Sequence, residues 1–147
     1  YREACARSGH EPDIVWIHAC HLDDDPAVAR KDAELAMTRF MLAQKVALPE
    51  AAPAEQLVAA GYGFYAAGIL ESFSDMPYEK LIEDDIVWVG TPDEVAGRIQ
   101  AVVDVCEGLT EVAITTNVGG IEHWKAIKTQ QLFAERIIPR FRDDTGG

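Results

Sequence analysis

Residues 86–120 read IVWVGTPDEVAGRIQAVVDVCEGLTEVAITTNVGG and hold strand and helix signals in close succession. The apolar run at residues 86–89 predicts a short strand that ends at Gly90. The letters TPDE at residues 91–94 form a capping box with proline in the first helical position, which predicts that a helix begins there. Gly108 stands where a left-handed cap would end this helix.

A second strand–helix pair follows directly. Residues 112–116 predict a strand, residues 117–120 a turn, and residues 121–138 a helix. Pro139 is expected to end this helix, because proline cannot continue a regular helical ladder. The stretch therefore alternates strands with helices and shows no sign of a hairpin.

The same alternation precedes this stretch. Residues 14–20 (IVWIHAC) form a nearly continuous apolar run, which is typical of a strand covered on both faces. Asp25 and Pro26 then supply the N-cap and the first residue of a helix that extends to about Gln44. Residues 1–12 indicate the end of an earlier helix. The apolar stripe of the helix after Asp25 repeats every three or four residues and comprises Ala29, Ala33, Ala36, Met37, Phe40 and Met41.

Three strand–helix units in a row imply right-handed crossovers and a parallel sheet. Because a parallel sheet needs both faces covered, the sheet is either doubly wound or part of a larger barrel. Residues 45–85 interrupt the pattern with prolines, glycines and aromatic residues. We interpret them as an insertion with short helices at residues 54–60 and 78–82 that acts as a lid or binding loop. Residues 142–147 form a polar tail.

The composition restricts the function further. The 147 residues suffice for one domain or part of one, and 13 Lys and Arg against 25 Asp and Glu give a net charge of −12. This acidity disfavours binding to nucleic acid or to an anionic membrane surface. Three scattered cysteines without metal-binding spacing indicate reduced thiols in the cytoplasm. The chain begins at Tyr1 without an initiator methionine or a signal peptide, which suggests a piece of a longer gene product.

Residues 89–95 (VGTPDEV) and residues 132–139 (LFAERIIP) carry a family resemblance. They resemble the V-G-T/S-P-E/D-x-V helix start and the L-F-A-x-x-V-x-P helix end of the bacterial luciferase-like family. That family comprises flavin-dependent monooxygenases and their deazaflavin-using relatives. Residues 8–10 and 25–29 are similar to the family segments that flank its sixth strand, with Pro26 in place of an acid.

The resemblance implies that the fold is the α/β C-terminal part of a (β/α)₈ barrel. Residues 1–44 would hold the sixth strand–helix unit, residues 45–85 the insertion or lid, and residues 86–141 the seventh and eighth units. The resemblance further implies reduced FMN or the deazaflavin coenzyme F-420 as cofactor, a small organic substrate and a homo-oligomeric full-length protein. We expect this part alone to be inactive. The alternative is a non-enzymatic α/β module that binds a flavin or another chain.

Ligands of such barrels lie at the carboxyl ends of the strands, which makes His18 the candidate catalytic residue. Some desulfonating members of the family have a pocket histidine on this strand. The other interpretation is a core or rim histidine with its hydrogen bonds satisfied. A metal site of His18, His21 and residues 23–25 is disfavoured, because positions three apart on a strand point to opposite faces.

Asn117, Gly119 and Gly120 are the candidate cofactor-binding residues. Glycines between a strand and a helix let the backbone approach a ligand and leave N–H groups free at the positive end of the helix. The other interpretation is a tight turn that needs glycine for its positive φ angles. Trp88, Trp124 and the aromatic residues of the insertion either cover a flavin ring or pack in the core.

Overall fold

The computed structural model describes residues 1–51 and 53–142, which form three strands, nine α-helices and one π-helical segment. No helix in this part of the chain is long and apolar enough to cross a membrane. The elements in chain order are α1 (Arg2–Ser8), β1 (Ile14–Leu22), α2 (Pro26–Ala51), α3 (Ala54–Ala59), α4 (Gly63–Ala66), α5 (Ile69–Ser74), α6 (Tyr78–Glu83), β2 (Trp88–Gly90), α7 (Pro92–Val105), β3 (Leu109–Thr115), α8 (His123–Leu132), the π-helical segment (Phe133–Ile137) and α9 (Ile138–Phe141).

The three strands form one sheet in the order β2-β1-β3, and both pairs are parallel, as predicted. Residues 14–19 of β1 pair with β3, and residues 20–22 pair with β2. Consecutive strands are neighbours in a closed barrel, so the order of a barrel would place β2 in the middle. Here β1 takes the centre, and its nine residues pair with β2 at the carboxyl end and with β3 along the rest.

Helices cover both faces of the sheet at the carboxyl ends of the strands. On one face, Ala19 and Val89 pack against the apolar stripe of α2, which confirms the stripe that the sequence predicts. On the other face, Cys20, Leu22 and Trp88 pack against α7 and the C-terminal helical segments. Burying one large apolar side chain contributes about 1.5–3 kcal/mol to the free energy of unfolding. These two layers therefore form the core.

The first half of β1 lies exposed. Val15 and Ile17 are 48% and 64% exposed, whereas residues 19–22 are buried. The prediction of a strand covered on both faces is therefore correct for the carboxyl half and wrong for the amino half. The reason is that α2 and α8 pack against the carboxyl half. We call the exposed residues Val15, Trp16 and Ile17 the β1 apolar surface.

The segment between α2 and β2 is more helical than predicted. The helix α2 continues past Gln44, its predicted end, and four short helices follow where the sequence predicts two. Pro53 and Pro77 do not interrupt the structure, because both occupy N-cap positions with φ of −59° and −57°, where no N–H is required. Tyr78 Oη donates a hydrogen bond to the Arg30 carbonyl 2.9 Å away, which holds this segment against α2.

The predicted capping box forms at the start of α7. The Glu94 N–H donates to Thr91 Oγ1 at 3.3 Å, and the Thr91 N–H donates to Glu94 Oε2 at 2.7 Å. The helix ends with Cys106 as its C-cap, and not at Gly108 as predicted. Gly108 has a φ of +83° in the next turn, where a Cβ would lie 2.8 Å from Pro12 Cβ.

The C-terminal helix differs from its prediction at both ends. It begins at His123 rather than at residue 121, and a π-helical segment joins it to α9, which contains Pro139. In a regular α-helix the proline ring clashes with the carbonyl four residues earlier. The wider π turn places Pro139 in the first turn of a new helix, where its missing N–H is tolerated. The prediction that Pro139 ends the helix is therefore wrong.

We expect the β1 apolar surface to drive self-association, because it adds apolar area to a strand whose outer edge is unpaired over residues 14–19 in the described structure. Replacing Val15 and Ile17 together by lysine should weaken association at least about tenfold in sedimentation velocity, or about 1.4 kcal/mol. Val105→Lys is the control, since Val105 is 78% exposed elsewhere. Equal association of the double variant and the unmodified protein would contradict this expectation.

Candidate functional site

Polar side chains gather at the carboxyl end of β1 beneath α8. They are buried or half-buried and lie on β1, on α2, on α8 and in the loop after β1. Parallel α/β sheets bind ligands at this end of their strands. We call the group the polar edge, which comprises His21, Asp23, Asp32, Lys125, Lys128 and Thr129.

His21 is the most buried residue of the polar edge that can titrate, with 2% exposure. Its Nδ1 lies 3.1 Å from Thr129 Oγ1, which also accepts a hydrogen bond from the Leu22 N–H. Its Nε2 has no hydrogen-bond partner in the described part of the chain. Burial lowers the pKa of His21, although the charges of Asp32 and Asp23 oppose this effect. The imidazole is therefore neutral at pH 7.

Both lysines of the polar edge are bound to carboxylates. Lys128 Nζ lies 2.5 Å from Asp23 Oδ2, and Lys125 Nζ lies 3.1 Å from Asp32 Oδ1 and 2.7 Å from Glu122 Oε2. Burial opposes ionisation of Asp23, but hydrogen bonds from Lys128 and from backbone N–H groups outweigh it, so the pKa of Asp23 is lowered. An anionic ligand here would have to displace a carboxylate from its lysine.

The candidate cofactor residues lie in a tight turn between β3 and α8. The Ile121 N–H donates to the Val118 carbonyl at 3.1 Å. Between these residues, Gly119 and Gly120 have φ angles of +59° and +77°. Positive φ at both central positions is the pattern of a type I′ turn. The geometry of the turn accounts for both glycines without a ligand, as the second interpretation of the sequence holds.

The surroundings of the two glycines differ. A Cβ on Gly119 would lie 1.7 Å from the Ala36 carbonyl oxygen, so the close packing of this turn on α2 requires glycine. A Cβ on Gly120 would meet no atom within 4 Å, and Asn117 is exposed. Of the three candidate residues, Asn117 and Gly120 therefore border open space in which a ligand could lie.

The N-terminus of α8 carries an acidic residue. Its N-cap is Glu122, so Gly119 and Gly120 lie outside the first helical turn. A hydrogen bond from Lys125 lowers the pKa of Glu122, which keeps the carboxylate ionised at neutral pH. This negative charge repels a phosphate group at the same helix end. The open space beside Gly120 therefore suits an uncharged part of a ligand better than a phosphate.

His18 lines a cleft of about 280 Å³. Its walls are mainly apolar, and His18, Gln44 and Thr115 are its polar side chains. Thr115 is the last residue of β3 and precedes Asn117 by two positions, so the turn leaves the sheet beside this cleft. The structure thus brings the His18 cleft and the start of the glycine turn to one strand end. The apolar wall comprises Ile17, Ala19, Phe40, Met41, Phe73 and Ile86.

Both ring nitrogens of His18 have partners within the protein. Nε2 lies 2.5 Å from the Asp85 carbonyl oxygen, which can only accept, so Nε2 carries the proton. Nδ1 lies 3.2 Å from Trp16 Nε1, whose N–H can donate to it, and 3.0 Å from the Ile17 carbonyl oxygen, which can only accept. The imidazole also packs on Trp88, with ring centroids 4.3 Å apart. His18 therefore lines a cleft, as one interpretation of the sequence holds, and has satisfied hydrogen bonds, as the other holds.

The two histidines of β1 have separate partners, and residues 1–51 and 53–142 contain no cluster of three or more His, Cys, Asp or Glu side chains suited to a metal ion.

The aromatic candidates occupy different places. Trp88 is fully buried, whereas Trp124 is 58% exposed with Lys125 Nζ 5.3 Å from its ring centroid. Of the aromatic residues in the insertion, Phe73 lines the His18 cleft.

The sequence did not single out the partners of the two histidines. Asp85 is 67 positions from His18, and Thr129 is 108 positions from His21. A histidine inside an apolar strand indicates burial and hence a partner. No local pattern names that partner, because these contacts join different strand–helix units.

The comparisons with known proteins give one family model and one similar solved structure. The family model described as luciferase-like monooxygenase matches residues 1–106. Among solved structures, the chain is similar to the monooxygenase RslO1 from Streptomyces bottropensis, with a TM-score of 0.63 and 21% sequence identity. That similarity covers 97% of this chain but only 36% of the other. At this identity it shows the fold alone, and it confirms the predicted fold class. No curated protein matches the chain.

We expect the free energy of unfolding to fall as the pH is lowered from 7 towards 5. The unfolded chain binds a proton on His21 at an ordinary pKa of about 6.5, whereas the folded chain does so only at lower pH, so acid favours unfolding by at most about 1.4 kcal/mol per pH unit. Urea denaturation at several pH values measures this slope. His21→Gln should flatten the slope, and His123→Gln, at an exposed site, should not. Identical slopes in both variants would argue against a buried neutral His21.

The two turn glycines should respond differently to alanine. Gly120→Ala should cost about 1–2 kcal/mol of stability, because the left-handed backbone disfavours a Cβ. Gly119→Ala should cost about 3 kcal/mol or more, because the overlap with Ala36 adds to the same strain. Chemical denaturation compares the two variants. Equal losses would mean that the turn does not pack on α2 as described.

Proposed function

Because the chain belongs to the luciferase-like monooxygenase family, we propose that it is part of an oxidoreductase. This enzyme would use reduced FMN or the deazaflavin coenzyme F-420 to oxidise or oxygenate a small organic substrate. The family match over residues 1–106 carries the proposal, and the fold likeness to a monooxygenase supports it. The chain spans 36% of that monooxygenase, so the proposed activity is that of a whole protein and not of this segment alone.

We assign the described elements to a barrel as follows. The pair β1 and α2 would be the sixth strand–helix unit, and the pairs β2 with α7 and β3 with α8 would be the seventh and eighth. Residues 45–85 would be the insertion between the sixth and seventh units. Their hydrogen bond to α2 at Arg30 and the position of Phe73 in the cleft wall support a role beside the ligand.

Asn117 and Gly120 would hold an uncharged part of the flavin. Open space beside Gly120 and the exposed amide of Asn117 meet the steric requirement, and the carboxylate of Glu122 disfavours a phosphate. When bound, the flavin supplies the hydride or oxygen chemistry, and the protein orients it and excludes water. The apolar cleft beside His18 would take the substrate, because its walls favour an organic molecule over water.

His18 remains our candidate catalytic residue under this proposal. In the present arrangement Nε2 lies 2.5 Å from the Asp85 carbonyl oxygen, a neutral acceptor. Direct proton transfer to a substrate would need His18 Nε2 to exchange Asp85 for the ligand. Without that exchange, His18 would act as a polar wall that fixes the position of a ligand in the cleft.

The proposed partners are the flavin, the small-molecule substrate and further copies of the full-length protein. The β1 apolar surface supports association of this segment, because it exposes large side chains beside an unpaired strand edge, which a preceding strand would cover in a complete barrel. The second candidate function, a non-enzymatic interaction module, is supported by the same surface. The enzyme would bind a flavin and turn over a substrate, whereas the module would show no turnover.

The proposal is tested by the sequence that precedes Tyr1 and by a flavin titration. Five further strand–helix units in that sequence would support a barrel enzyme, and an unrelated domain would contradict it. With the resulting full-length protein, quenching of FMN or deazaflavin fluorescence measures binding, and oxygen or substrate consumption measures turnover. Binding without turnover on any tested substrate would favour the module.

We expect Gly120→Ala to weaken flavin binding at least about tenfold, or about 1.4 kcal/mol, because a Cβ enters the space that the ligand would fill. Gly9→Ala is the matched control. Gly9 has a φ of +72° and no atom within 4 Å of a Cβ, so its replacement carries similar strain at the end of α1, far along the chain. Similar affinities for both variants would show that Asn117 and Gly120 belong to a structural turn only.

A further inference from the structure

Asp85 has a left-handed backbone conformation, which is uncommon for residues other than glycine. Among the described residues it is the non-glycine residue with positive φ, at +58°. It follows α6, where the Ile86 N–H donates to the Leu81 carbonyl at 2.9 Å and the Asp85 N–H donates to the Ile82 carbonyl at 3.3 Å. These two bonds form a Schellman motif, whose left-handed position is usually glycine. The sequence thus places a carboxylate where the backbone alone would favour glycine.

Arg98 of α7 binds this turn at two points. Its guanidinium forms an ion pair with the Asp85 carboxylate and donates a hydrogen bond to the Ile82 carbonyl at 2.7 Å. The Asp85 side chain is 57% exposed, and ion pairs so exposed stabilise a fold little. The ion pair between Asp85 and Arg98 therefore adds little to general stability.

The same turn also contacts the imidazole ring of His18. The Asp85 carbonyl can only accept, so its contact with His18 Nε2 favours a proton on Nε2, while Nδ1 lies between the Trp16 Nε1–H and the Ile17 carbonyl oxygen. Trp88 supports the ring from one side. The plane and the protonated nitrogen of His18 therefore depend on where the Asp85 carbonyl points.

We propose that Asp85 and Arg98 are positioning residues for His18: the ion pair locks the turn after α6, and the carbonyl of that turn holds the imidazole of His18 in one tautomer on the cleft wall. The functional meaning of this lock rests on the proposed function, in which the cleft takes the substrate. The lock itself depends only on contacts within the chain.

The test uses ¹⁵N-labelled protein and the ring nitrogen shifts of His18, assigned from the spectrum of His18→Gln. In the unmodified protein we expect a single Nε2–H tautomer at pH 8. Asp85→Gly retains the left-handed turn but removes the ion pair, and Arg98→Lys retains the charge but loses the second hydrogen bond. In both variants the shifts of Nδ1 and Nε2 should move towards each other, which reports a mixture of tautomers.

Asp84→Asn is the matched control, because Asp84 is the adjacent carboxylate and pairs with Lys80. It should leave the His18 shifts unchanged. A single Nε2–H tautomer in Asp85→Gly and in Arg98→Lys, with the backbone spectrum otherwise retained, would overturn the proposal. The readout needs no flavin, so failed titrations of the full-length protein with both FMN and the deazaflavin would contradict the proposed function and leave this test of His18 intact.

Discussion

Hydrogen bonding along the two edges of β1 is the constraint on which the other elements depend. The strand β1 pairs with β3 over residues 14–19 and with β2 over residues 20–22. In its buried carboxyl half, a backbone N–H or C=O without a partner would cost about 1–3 kcal/mol. Parallel pairing requires long crossovers, so α2 and α7 must pass over the sheet. Their apolar faces then pack on opposite sides of Leu22 and its neighbours.

The elements with strong local sequence signals form where the sequence predicts them. The α7 capping box depends on contacts between Thr91 and Glu94, three residues apart, so the sequence alone was sufficient to predict it. The stripe of α2 follows from helical periodicity. The limits of β2 and β3 were less accurate, because strand ends depend on where the partner strand stops. Pro139 shows the same dependence, since a π-helical segment before it allows the chain to stay helical.

The candidate site divides in the same way. The position of the glycine turn was predicted correctly, because two consecutive glycines indicate backbone positions with positive φ. That Gly119 packs against α2 and Gly120 borders open space follows only from the tertiary structure. Likewise, the sequence pointed to His18 on its strand, but its hydrogen bond to Asp85 joins two units that no local pattern relates. Local chemistry therefore indicates which residues are candidates, and packing decides what contacts each can make.

The central position of β1 also has a consequence for biosynthesis. Thr110 Oγ1 donates to the Ile14 carbonyl across 96 positions of the chain, so β3 leaves the ribosome long after β1. At roughly 5–20 residues per second, about 5–20 s separate the synthesis of the two strands. During this interval the nascent β1 has both edges open and its apolar side chains exposed. The rate of translation and the occupancy of chaperones at the ribosome therefore bear directly on how much of this chain reaches its native sheet.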